Sequence, residues 1–168
     1  LEHRMHSRSA LASRFWPDVL DESARTSLRS ALSALRKALG PDADQYLIAG
    51  RDEVGLAGDS LVWTDVGEFE RRIAEGRLEE ALALSRGELV AGLDDDWAYE
   101  RRDEHRDRIA DLLARLAADA EGDGDLQRAI GYTRQRVALD PLAEEPHRDL
   151  MRLLAATGDR SAAIRTYE

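Results

Sequence analysis

The stretch from Ser23 to Leu39 constrains this chain more than any other. It holds no acidic residue, in a protein whose formal net charge is -10. Leu28, Leu32, Leu35 and Leu39 recur at steps of four, three and four, so they stack along one face of a helix that lies against a core. Thr26, Arg29, Ser30, Ser33 and Lys37 fall on a second face, with Arg25 and Arg36 along its edges. A helix with one apolar face and one face of Arg, Lys, Ser and Thr has the chemistry to dock on a core and lie in a DNA groove. Arginine and lysine neutralise phosphates or reach guanine edges, and short hydroxyls bond phosphate oxygens without holding the helix away. The competing reading is a solvated basic face without a ligand; the neighbouring segments favour the first.

With 168 residues, 43% of them hydrophobic, the chain can form one ordinary domain or two small ones. It has no cysteine, which excludes disulfides, thiolate metal sites and a cysteine nucleophile. No apolar run approaches the roughly 18 residues that cross a bilayer, and no signal-peptide pattern opens the chain. The expectation is a soluble cytoplasmic protein with no membrane partner. Its first residue is leucine and its last residues read as mid-helix, so we expect a fragment of a longer protein. Charge is unevenly spread: seven basic and four acidic residues in 1–40, one basic and six acidic in 41–66, and 16 basic and 24 acidic in 67–168. Any DNA contact is therefore local, and the rest of the chain meets something else.

Local signals order the first part. Ser7 caps a short helix to about Phe15, and Pro17 stops it. A turn over Pro17–Glu22 leads to Ser23, the expected cap of the basic helix, which Gly40-Pro41 ends. Tyr46-Leu47-Ile48 and Glu53-Val54-Gly55-Leu56 flank the turn signal Ala49-Gly50-Arg51-Asp52 and read as a hairpin. Ser60–Val66 reads as an extended return. Helix, turn, basic helix and hairpin is the order of the second half of a winged helix-turn-helix.

From Gly67 onward the pattern is helical, with helices expected at about 67–75, 77–91, 95–121, 125–139, 143–156 and 159–168. Gly76, Gly124 and Gly158 are each followed five residues later by alanine (Ala81, Ala129, Ala163). Gly124 and Gly158 lie 34 residues apart, the tetratricopeptide period, and Pro141 falls between them. Glycine takes the inter-helix turn and the small alanine lets paired helices approach. The alternative is an irregular helical bundle.

Other constellations carry less. His3 and His6 are three apart, but no third ligand type stands nearby, and Asp94-Asp95-Asp96 precedes a helix, so it reads as a cap rather than a cation site. The charge run Glu100–Glu104 reads as a solvated face with helical ion pairs, and Trp16, Trp63 and Trp97 as core or interdomain anchors. With no phosphate loop, GxSxG elbow or HExxH helix, and no nucleophile–base pair, neither an enzyme nor a metal or cofactor is expected.

The stretches Ser7–Asp18 and Ala24–Gly40 resemble the DNA-binding part of bacterial activators of the SARP/AfsR type, whose winged helix is of the OmpR kind. Asp96-Trp97-Ala98-Tyr99-Glu100-Arg101-Arg102 and the run Leu139–Met151 are similar to two recognisable stretches of the bacterial transcriptional activator domain that follows it. The resemblance covers nearly the whole chain, and by it the chain is expected to start after most of the small sheet and first helix that open such a winged helix. It implies a mostly α fold: residues 1–66 as the C-terminal part of a winged helix-turn-helix with a β-hairpin wing, and 67–168 as a tetratricopeptide-like α-helical repeat domain cut at its C-terminus. It implies that the 23–39 helix reads the major groove, with Thr26, Arg29, Ser30 and Ser33 closest to bases and phosphates and Arg25, Arg36 and Lys37 flanking. Arg51 at the wing tip would reach the minor groove or a phosphate, and Ser7 and Arg8 a phosphate. The implied function is transcription activation, with double-stranded DNA as partner and the helical domain contacting RNA polymerase or a second copy. A protein-interaction or ligand-sensing scaffold with a degenerate winged helix is the rival.

Overall fold

The computed structural model describes residues 5–58 and 62–167, the side chain of Tyr167 apart. His3, the start of the extended return at Ser60 and Leu61, and Glu168 lie outside the described residues. The chain divides into two compact units, Leu1–Glu68 and Phe69–Glu168.

The first unit runs β1 (His6–Ser7), α1 (Arg8–Phe15), α2 (Asp21–Leu39), a tight turn at Gly40–Asp42, α3 (Ala43–Tyr46), β2 (Leu47–Ala49) and β3 (Glu53–Leu56). The three strands form an antiparallel sheet in the order β1-β3-β2. His6 stands opposite Val54, and Leu47 opposite Leu56. Strand alternation turns Leu47 and Val54 to one face, where they join Ala12, Ala24, Leu28 and Leu32 in a core that Leu11, Trp16 and Leu56 complete. Gly40 ends α2 at φ 75°, which a side chain rarely adopts, and its amide bonds the Arg36 carbonyl.

Several expectations need correcting here. Strand β1 carries no local sequence signal; it exists through antiparallel pairing with β3. Ser7 stands at the start of α1, but its hydroxyl meets the Ser9 hydroxyl at 2.7 Å instead of capping. Helix α2 starts at Asp21 rather than after Ser23, with Leu20 at its cap and the Leu20 carbonyl accepting from the Ala24 amide at 2.9 Å. Asp21 and Glu22 in the first turn complement the helix dipole in place of a hydroxyl cap. Tyr46 closes α3 rather than opening a strand. Leu35 and Leu39 continue the apolar stripe of α2 but are 40% and 37% exposed, so the core covers only the first half of that face.

The division between units falls within α4 (Asp65–Ala74). The Thr64 hydroxyl accepts from the Gly67 amide at 3.0 Å and fixes its start. Then come α5 (Leu78–Leu84), α6 (Asp96–Gly122), α7 (Leu126–Leu139), α8 (Glu144–Ala156) and α9 (Arg160–Tyr167). These pair as α4–α5, α6–α7 and α8–α9 through one recurring turn. Gly76, Gly124 and Gly158 stand at φ 75°, 78° and 86°. The residue after each glycine returns its amide to the preceding helix: Arg77 to Arg72 (2.9 Å), Asp125 to Ala120 (2.8 Å) and Asp159 to Leu154 (3.0 Å). Five residues beyond each glycine, Ala81, Ala129 and Ala163 are buried where the paired helices cross. Asp125 and Asp159 also cap their helices through carboxylates, at 3.0 and 2.9 Å. The mostly α, tetratricopeptide-like expectation holds.

Two cores fill this unit. Phe69, Leu78, Ala81, Leu112 and Leu116 form one; Ala120, Ala129, Ile130, Leu150, Leu153, Leu154, Ala162 and Ala163 form the other. Tyr132 packs against both. Carboxylate–arginine pairs span alternate helices: Glu70 with Arg108 (2.5 Å), Glu79 with Arg128, and Glu121 with Arg152 (2.8 Å). The Arg152 guanidinium holds the Glu121 carboxyl below its ordinary range.

Helix α5 stops at Leu84, well short of the expected residue 91. Gly87 and Gly92 take φ of 83° and 82° and Val90 takes 47°, so 85–95 is a loop. Arg102, expected on a solvated face, is buried instead. Its guanidinium donates to the carbonyls of Leu89 (3.0 Å), Val90 (2.9 Å) and Leu93 (2.7 Å) and pairs with Glu88 at 3.1 Å. Its neighbour Arg101 does pair along the helix, with Glu104 at 2.6 Å. Asp96 lies in the first turn of α6, but Asp95 at the cap makes no side-chain capping bond. Trp63, expected as an anchor, is 68% exposed, whereas Trp16 packs on the first core. No helix among the described residues is long and apolar enough to cross a membrane.

Candidate nucleic-acid interface

A helix of 3.6 residues per turn places Ala24, Leu28 and Leu32 on one line, and these three are the residues of α2 that are buried. Thr26, Arg29, Ser30, Ser33 and Lys37 project from the other side, and all five are exposed. Arg25 is exposed at the edge, and Arg36 is half-buried. The structure thus brings seven of the expected site residues together along one element.

Two of them are held by local bonds. The Thr26 hydroxyl donates to the Glu22 carbonyl at 2.9 Å, and the Arg29 guanidinium donates to the Thr26 oxygen at 3.1 Å. This relay lays the Arg29 side chain along the helix, its remaining N–H groups open to an acceptor. Arg36 approaches Asp44 of α3, Nε to Oδ1 3.7 Å. That partner was missed in the sequence: the chain reverses through Gly40–Asp42, and no periodicity connects the two residues.

Arg51 sits exposed in the β2–β3 turn, between the exposed Gly50 and Asp52. Arg8 braces that turn. Its amide bonds the Asp52 carbonyl at 2.8 Å and its Nε the Gly50 carbonyl at 3.3 Å. Its guanidinium is thus engaged with the hairpin, where the resemblance implied a phosphate contact. The hollow between α1 and α2, lined by Ser9, Ala12, Ser13, Asp21, Ala24 and Arg25, measures about 20 Å³. That holds one water and no organic ligand. Among the described residues no group of three or more His, Asp or Glu side chains could hold a metal ion.

The second unit offers different chemistry. An open hollow of about 340 Å³ lies along α4 and α6, with Ile73, Leu112 and Ala114 as its apolar part and Arg108, Asp111 and Arg115 as its charged part. Arg108 is bonded to Glu70, which raises its already high pKa further. Residues 67–168 carry 24 acidic against 16 basic side chains, a balance that repels phosphate.

No curated protein matches the chain. Residues 64–168, more than half of it, match the model of the bacterial transcriptional activator domain. That span begins at Thr64, whose hydroxyl caps α4, and takes in all three helical hairpins together with the Arg102-pinned loop. The family is one of transcription activators rather than enzymes, and by this match the chain belongs to the bacterial transcriptional activator domain (BTAD) family.

Proposed function

We propose that this chain is a DNA-binding transcription activator of the SARP/AfsR type, with α2 as the recognition helix of an OmpR-like winged helix-turn-helix in the major groove. Residues 1–66 form that domain's C-terminal part, α1 the preceding helix and β2–β3 the wing. Thr26, Arg29, Ser30 and Ser33 face bases and phosphates, Arg25, Arg36 and Lys37 flank them, and Arg51 reaches the backbone or the minor groove from the wing. The helical unit serves a second copy or RNA polymerase, and the site of action is the cytoplasm.

The two-sidedness of α2 carries this reading: one face is buried on Ala24, Leu28 and Leu32, and the opposite face is exposed with hydroxyls, arginines and a lysine. The order strand, helix, helix, hairpin, with β1 paired beside β3, supports it. The acidic balance of 67–168 confines phosphate contact to the first unit, while stacked helical pairs give protein partners an extended surface.

Titrating the full chain with generic duplex DNA across a salt series tests the proposal. Each neutralised phosphate contributes about -0.9 to the slope of log affinity against log salt. A slope of several units is expected, shrinking when Arg29→Glu or Arg36→Glu is introduced, with helix content unchanged. Unchanged affinity in both variants overturns the assignment of α2. A flat response from the wild-type chain leaves the helical hairpins as the functional part and favours the scaffold alternative.

A further inference from the structure

The basic face of α2 ends at a carboxylate. Arg36 and Lys37 stand in the last turn of the helix. The chain then reverses through Gly40–Asp42 into α3, which brings Asp44 back to within 3.7 Å of the Arg36 guanidinium. The Asp44 side chain is 92% exposed and that of Arg36 38%. A pair so open to water adds little to stability, and α3 is already anchored by Ala43, which is buried. What a carboxylate does at this place is meet any phosphate that approaches Arg36. Carboxylates stand beside other cations of this unit as well: Asp21 and Glu22 occupy the first turn of α2, and Asp52 and Glu53 follow Arg51 on the hairpin, all four exposed.

We propose that Asp44 is a specificity-determining residue, a brake on sequence-independent DNA binding that acts through Arg36. The inference rests on the reading of α2 as the DNA-facing helix. Sequence-independent affinity is phosphate neutralisation. Asp44 subtracts from it by occupying Arg36 in the free protein and by repelling phosphate at that end of the helix. Contacts to base edges made by the middle of α2 lie outside its reach, so the brake falls on generic duplex more than on a fitting site. Discrimination built from a repulsive element needs a like charge at the rim of the face, and Asp44 supplies it.

The test titrates the full chain, as wild type, Asp44→Asn, Arg36→Ala and the double variant, with a short random-sequence duplex across a salt series. Asparagine fits at a side chain this exposed, and circular dichroism checks that helix content is kept. Asp44→Asn is expected to tighten binding about fivefold at low salt, the size of a unit charge acting over this distance in water. Its slope is expected to steepen by about 0.9, one further phosphate. In the Arg36→Ala background the gain is expected to shrink to the part that comes from direct repulsion. Equal gains in both backgrounds overturn the inference, because the effect is then net charge and not the pair. No gain, while Arg29→Glu still weakens binding, overturns the brake and leaves the reading of α2 standing. Salt-independent or absent binding by wild type and Asp44→Asn alike removes both.

Discussion

Replacing Arg102 with alanine is the sharpest perturbation of the BTAD unit. The guanidinium makes three bonds to loop carbonyls, at 3.0, 2.9 and 2.7 Å, and its side chain is 7% exposed. Bonds from a charged donor contribute about 1.5–3 kcal/mol each. Two effects reduce the sum. The carbonyls of a surface loop regain water once the side chain is gone, and Val90, held at φ 47°, is released from a conformation that costs a β-branched residue about 1–3 kcal/mol. The net loss is then about 3 kcal/mol, at the lower end of what breaking a buried charged network costs. In a unit of about 100 residues each kcal/mol moves the midpoint by about 4–8 °C, so thermal unfolding followed by circular dichroism is expected to fall by about 12–24 °C. Hydrogen exchange at 89–93 is expected to accelerate ahead of the rest. Arg102→Lys keeps the charge but not the planar fork, and recovers less than half of the loss. Arg101→Ala, which removes the exposed pair with Glu104, stays within about 0.5 kcal/mol. If Arg102→Ala lies within about 1 kcal/mol of wild type, or unfolds earlier with the loop's exchange unchanged, the clasp is not what holds 85–95.

Two further predictions concern the helical hairpins. Ala129 is fully buried, so Ala129→Leu overpacks the α6–α7 crossing and is expected to cost about 1–3 kcal/mol or more in urea unfolding, whereas Ala118→Leu, at an exposed position of α6, leaves the midpoint unchanged. Arg152 holds Glu121 below the ordinary glutamate value of 4.5; the stability this pair contributes is complete above that value and is lost as pH falls through the lowered one. Unfolding midpoints measured from neutral pH downward are therefore expected to drop less steeply below about 4.5 in Arg152→Met than in wild type, and parallel curves would refute the coupling.

The parts of this fold that the sequence made legible are those written within about one helical turn. A glycine that must take positive φ, followed five residues on by an alanine that must be small, marks each hairpin, because both constraints act between near neighbours. The same locality fixed which face of α2 carries Ala24, Leu28 and Leu32, and hence that Thr26, Arg29, Ser30, Ser33 and Lys37 would be exposed. It did not say how far the core reaches, since whether Leu35 and Leu39 are covered depends on elements distant in the chain. Nor could it separate Arg101 from Arg102. Both stand in one charged run, and one is buried because a loop about 10 residues earlier turns its carbonyls inward. Strand β1 is the same case in backbone form: two residues acquire extended geometry from β3, more than 40 residues later. Charges show the limit most sharply. Periodicity assigns Arg36 to the edge of a basic face, but Asp44 reaches it only through the reversal at Gly40–Asp42. A basic face read from periodicity alone therefore overstates the cations free to meet a phosphate, and the difference rests with residues outside the helix that bears them.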